Sequence, residues 1–164
     1  MKNFSAKNYI FGAVRWVAVI AFAVVLILFA SQNKISKAPL KDVSAATVKA
    51  VNVKKMQKGN DSTFKRLYGL NSADYDGVFL YWPLSNMDAE EMLIVKLKDV
   101  SQQEQVKAAI DARLETQKKS FDGYGVEQYA LLTESSTVDV QGNYILFVVG
   151  SEYQAADAAF KQAL

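Results

Sequence analysis

The segment from Tyr9 to Ala30 is almost wholly apolar and carries one charge, Arg15, near its start. Wound as a helix at about 1.5 Å per residue, it would reach roughly 33 Å, enough to cross a hydrocarbon core about 30 Å thick. In lipid only a helix or a closed barrel satisfies every backbone N–H and C=O, so the segment is expected to be a transmembrane helix. The chain then divides into a basic N-terminus and anchor over residues 1–30, a tether over 31–42, and a folded domain over 43–164.

A cleaved secretory signal is the alternative. Lys2, Lys7 and Arg15 supply a basic flank, and the uncharged run Trp16–Ala30 has a length that suits a signal. A cleavage site wants small residues two positions apart. Leu28-Phe29-Ala30 puts a bulky leucine there, and Phe22 interrupts the earlier alanines. With no cysteine there is no lipobox, and Trp16 beside the basic flank suits a membrane interface. A pilin-type start is disfavoured, because no acid follows Gly12 until Asp42. A retained signal-anchor is therefore expected, with secretion after cleavage as the other outcome. Lys34, Lys37 and Lys41 nearly balance the three cations on the other side. The α-amino group tips the count toward a cytoplasmic N-terminus and an extracytoplasmic domain.

Composition excludes more than it assigns. The chain has no histidine and no cysteine, which removes Ser-His-Asp and Cys-His catalysis, histidine-based metal sites and a disulfide scaffold. The net charge of +2 hides an asymmetry: residues 31–58 hold seven lysines against Asp42 alone, whereas 59–164 hold nine basic and sixteen acidic residues. The lysine-rich stretch, Lys34, Lys37 and Lys41 foremost, could meet anionic headgroups at roughly 1 kcal/mol per lysine; a solvated linker explains it equally. An acidic body would repel phosphates, so nucleic-acid binding is not expected.

The spacing of Val43, Ala46, Thr47, Ala50, Val51 and Lys54 predicts an amphipathic helix ending near Lys58-Gly59-Asn60. A second short helix follows from Asp61 or Ser62 to Tyr68, with Gly69 as its left-handed cap. Gly77–Trp82, stopped by Pro83, and Met92–Lys98 read as strands. The longest helix spans about Gln102 to Phe121 behind a Ser101/Glu104 capping box, and Gly123 and Gly125 end it ahead of a loop. Thr137–Val140 and Tyr144–Val149 flank a tight Gln141-Gly142-Asn143 turn. A Ser151/Gln154 box opens a final helix that buries Tyr153, Ala156 and Phe160. The expected fold is α+β, an N-terminal transmembrane helix followed by one domain in ααββαββα order, with a four-stranded antiparallel sheet packed by helices. The strand order is not legible.

Lys96-Leu97-Lys98-Asp99, the helix end Arg113-Leu114-Glu115-Thr116-Gln117-Lys118-Lys119-Ser120-Phe121, and Gly142-Asn143-Tyr144 before an apolar strand form a recognisable pattern. Over roughly residues 45–160 the chain resembles a bacterial, mainly Gram-positive, domain family of unknown function. The R-x-x-x-Q-x-x-x-F spacing of Arg113, Gln117 and Phe121 is its most distinctive part. The resemblance implies an extracytoplasmic α+β domain held by a lipidated cysteine or an N-terminal helix; this chain has no such cysteine. It implies no activity and carries over no catalytic residue.

Several constellations compete with plain structure. Asp74, Asp76, Asp88, Glu90 and Glu91 could offer oxygen ligands, but Asp74-Tyr75-Asp76-Gly77 lacks the later ligands of a calcium loop. No metal and no cofactor is expected. Arg113 and Gln117, one helical turn apart, could hold a carboxylate or a sugar, or Arg113 could pair with an acid while its stem covers the core edge. Tyr81, Trp82, Tyr124, Tyr129 and Tyr144 could line a groove or fill a core. Ser85, Ser135 and Ser136 have lysines in the chain as conceivable partners, yet none of the three stands in a G-x-S-x-G or S-x-x-K spacing. The candidate surface is thus Tyr81, Lys96, Arg113, Gln117, Tyr124 and Tyr144, with no catalytic residue assigned. The expected protein is a non-enzymatic, membrane-anchored domain binding a protein or envelope partner. A small subunit assembling through its transmembrane helix is the second reading, and a Ser/Lys hydrolase the third.

Overall fold

Two apolar runs, Met92–Val95 and Tyr144–Val149, decide the centre of the domain, because neither alternates with polar residues. Strands of that kind must be covered on both faces. The computed structural model, which describes residues 14–24 and 35–164, places both runs side by side in mid-sheet. The domain runs α1 (Leu40–Lys49), β1 (Met56–Lys58), α2 (Asp61–Tyr68), β2 (Gly77–Pro83), β3 (Glu91–Lys96), α3 (Gln103–Phe121), α4 (Val126–Glu134), β4 (Ser136–Gln141), β5 (Tyr144–Val149) and α5 (Tyr153–Gln162). The sheet is antiparallel throughout, in the order β1-β2-β3-β5-β4.

Period-two alternation sends the two sides of each central strand into separate cores. Leu93, Val95, Ile145, Phe147 and Val149 share one core with Phe64, Tyr68, Val106, Ile110, Phe121 and Leu132 of α2, α3 and α4. Met92, Ile94, Tyr144, Leu146 and Val148 share the other with Val43 of α1 and with Ala156 and Phe160 of α5. The result is three layers, with helices on both faces of the sheet. From β3 the chain crosses one face through α3 and α4 to the outer strand β4. It then turns back at Gly142-Asn143, where Gly142 has φ +57°, and fills the slot between β4 and β3 as β5.

The differences from expectation have local causes. The sheet has five strands, not four. The helix expected to run to Lys58 stops at Lys49; Asn52 then accepts from the Lys54 amide at 3.1 Å, and the chain straightens into β1 against β2. Asparagine competes well for its own backbone, and the β-branched Val51 and Val53 beside it add little helix propensity. The loop expected after Gly125 contains α4. The Ser101/Glu104 box is displaced: Asp99 caps a 3-10 turn, accepting from the Ser101 amide, and Gln102 returns the bond to the Asp99 amide. Ser151 does not cap α5, which starts after Glu152 without a side-chain bond. The order ααββαββα becomes αβαββααββα.

The domain also begins earlier than residue 43. Ile35–Leu164 form one compact unit. Ser36 donates its amide to Asn143 Oδ1 at 2.8 Å and its hydroxyl to the Leu164 carbonyl at 3.0 Å. Asn143 Nδ2 donates back to the Ser36 carbonyl, and the Tyr144 hydroxyl donates to Ala38 at 2.6 Å. Residues expected to form a free tether are therefore strapped to the hairpin end of the sheet. Residues 14–24 are helical; the rest of the Tyr9–Ala30 segment, and Lys34, lie outside the described residues. Among the described residues no helix is long and apolar enough to cross a membrane.

Candidate functional site

A carboxylate with no exposure opens the buried strand β3: Glu91 is 0% exposed. A charge so placed must be paired and hydrogen-bonded. Three side chains converge on it. Arg113 of α3 donates Nη2 to Oε2 at 2.7 Å and Nε to the same oxygen at 3.2 Å. Gln117, one turn later, donates Nε2 to Oε2 at 3.1 Å. Tyr68, in the last turn of α2, donates its hydroxyl to Oε1. Burial, and then the Glu91 charge, push the Tyr68 hydroxyl well above the ordinary tyrosine range, so it stays a donor. Gln117 Oε1 is left buried without a partner.

Two members of this network, Arg113 and Gln117, also line a cleft of about 330 Å3 beside α2, α3, the end of β2 and the β2–β3 loop. Arg113, Gln117, Ser120 and Tyr124 line one side, and Arg66, Trp82 and Asp88 the other. The Arg66 guanidinium lies over the Trp82 ring, 5.0 Å from its centroid. Asp88 and Glu90 turn toward Lys55, at 3.9 and 3.3 Å. Leu84 and Met87 of the β2–β3 loop are exposed, as are Tyr124, Val126 and Tyr129 after α3. Gln128 Oε1 ties the two segments together by accepting from the Ala89 amide at 2.9 Å.

The six residues singled out from sequence fall on two faces. Arg113, Gln117 and Tyr124 reach the cleft. Tyr81, Lys96 and Tyr144 belong to the opposite face: Tyr81 and Tyr144 join the core under α1 and α5, and Lys96 pairs with Asp76 at 3.0 Å and sits over the Tyr144 ring. Burial first, then Asp76 and Asp42, push the Tyr144 hydroxyl up to about 12. No common groove of Tyr81, Trp82, Tyr124, Tyr129 and Tyr144 forms. Of the loop acids, Asp76 pairs with Lys96, Asp88 and Glu90 share Lys55, and Glu91 meets Arg113; no cluster of three metal-ligating side chains occurs among the described residues. Ser136 donates its hydroxyl to the Leu132 carbonyl, and Ser85 accepts from the Met87 amide. Lys37 and Lys41 are exposed.

Tyr68 and Arg66 are not among the sequence candidates, and Glu91 is there only as one of five conceivable oxygen ligands, not as the partner of Arg113. The one available signal for Glu91 was its position, an acid heading a strand too apolar to leave its first residue in water.

A family model for a domain of unknown function (DUF4358) matches residues 49–150. The matched span holds the whole sheet, the Glu91 network and the cleft, and leaves out most of α1 and all of α5. No curated protein and no solved structure matches the chain.

Proposed function

The chain belongs to the DUF4358 family, and from that premise we propose a non-catalytic binding role: residues 9–30 hold the domain at a membrane, and the domain takes a protein partner at the cleft on the extracytoplasmic side. One observation carries this reading. Of the large apolar side chains exposed on the described part of the domain, Leu84, Met87, Tyr124, Val126 and Tyr129 all belong to the two segments beside the cleft, leaving Ile35 and Val100 elsewhere. A concentrated apolar rim marks an interaction site more often than scattered exposure does. Tyrosine, tryptophan, methionine and arginine, the types enriched at interface centres, are the types found here.

The membrane part rests on the length and apolarity of Tyr9–Ala30. A photo-crosslinking residue at position 124 of the full-length protein, in its own membranes, is expected to give a discrete adduct that the same residue at Lys107 does not. Equal adducts from both positions would overturn docking at the cleft. Adducts confined to positions within 14–24 would instead assign assembly to the apolar helix. Protease added to intact cells is expected to digest the domain; complete protection would reverse the topology.

A further inference from the structure

We propose that the cleft receives a carboxylate on a peptide segment of the partner, and that Arg66 is the residue that binds it. The inference rests on partner docking at the cleft and goes on to name the chemistry of the docked group. Charge inside the cleft is compensated group by group, with one exception. Arg113 is committed to Glu91, and Asp88 is engaged by Lys55. Arg66 is exposed, faces the cleft and has no acidic partner among the described residues. Its contact with Trp82 uses the positive charge against the ring and leaves the N–H fork unspent. A guanidinium already held in place loses less freedom when a carboxylate docks, and two parallel N–H···O bonds suit that planar group.

The same contact disfavours a sugar. Trp82 is partly buried against the core and Arg66 lies over its ring, where a pyranose ring would have to stack. Across the cleft from the guanidinium an aromatic ring is open, that of Tyr124, exposed next to Phe121 with their ring centroids 6.1 Å apart. An acidic residue flanked by an aromatic or branched aliphatic one fits that pairing of surfaces.

The test uses the full-length protein in lipid nanodiscs, panned against a random peptide library. Recovered peptides are expected to share an Asp or Glu beside a bulky apolar residue. Their synthetic forms should weaken about tenfold on R66Q, the scale of one charge-assisted contact. R66K should retain part of the binding, and K65Q should change nothing. Replacing the peptide's acid by its amide should cost the wild type as much as R66Q does, and cost R66Q nothing further. Free and amidated C-termini distinguish a terminal from a side-chain carboxylate. Peptides without acid preference, acid-dependent binding that R66Q leaves intact, or recovery of no peptide would each overturn the proposal. A crosslink from position 124 whose yield R66Q leaves unchanged would keep docking and remove the role of Arg66.

Discussion

Glu91 and Arg113 form an ion pair whose two members differ in their access to water: the carboxylate is wholly buried, and the guanidinium side chain keeps 14% exposure. Breaking such a pair costs more than never having had it, since the survivor remains charged in a poor solvent. Arg113→Met is therefore expected to lower stability by about 3–5 kcal/mol. The double change Glu91→Leu/Arg113→Met should lose less than Arg113→Met alone, as denaturant midpoints would show. The tyrosines make a second prediction. A hydroxyl whose folded-state pKa lies above its unfolded one contributes stability below the unfolded value, and that contribution fades as pH rises through the folded one. For Tyr144 the window runs from 10.0 to about 12. Unfolding free energy should fall across it, less steeply in Tyr144→Phe. At this scale the sequence displayed half of the network. Arg113 and Gln117 stand out because helical spacing is local, whereas Glu91 lies 22 residues earlier, in an acidic loop sequence that hides its strand position.

Elements were legible where a few neighbouring residues determine them. The α2 cap, the hairpin turn and the core of α3 all follow from short-range rules, and all are present. Gly69 at φ +69° has open space around a would-be Cβ, so Gly69→Ala is expected to cost about 1–2 kcal/mol through the backbone alone. Thermal unfolding would measure it. The same rules failed at β1, whose three residues are too few to show a period, and at α4, where clustered apolar residues blur the helical stripe. Strand order was beyond them altogether. β5 joins β3 across the intervening α3, α4 and β4, a pairing made by two buried surfaces that no local pattern announces.

On the scale of the whole domain, the two ends of the sheet have different work. Register sets Lys96 against Tyr144 at one end and Glu91 against Val149 at the other. The cleft stands at the Glu91 end, and the strap through Ser36 and Ala38 stands at the Tyr144 end. Asn143→Ala should speed amide hydrogen exchange at Ser36 while leaving the Gln117 amide protected, a contrast that exchange mass spectrometry can resolve. Because the Ser36 hydroxyl reaches the Leu164 carbonyl, the polypeptide enters this body within bonding distance of that residue. A fluorescent reporter fused after Leu164 would thus emerge beside the entry point and leave the far pole unobstructed for capture experiments. The same cargo grafted between Ser85 and Asn86 would block the cleft it was meant to observe.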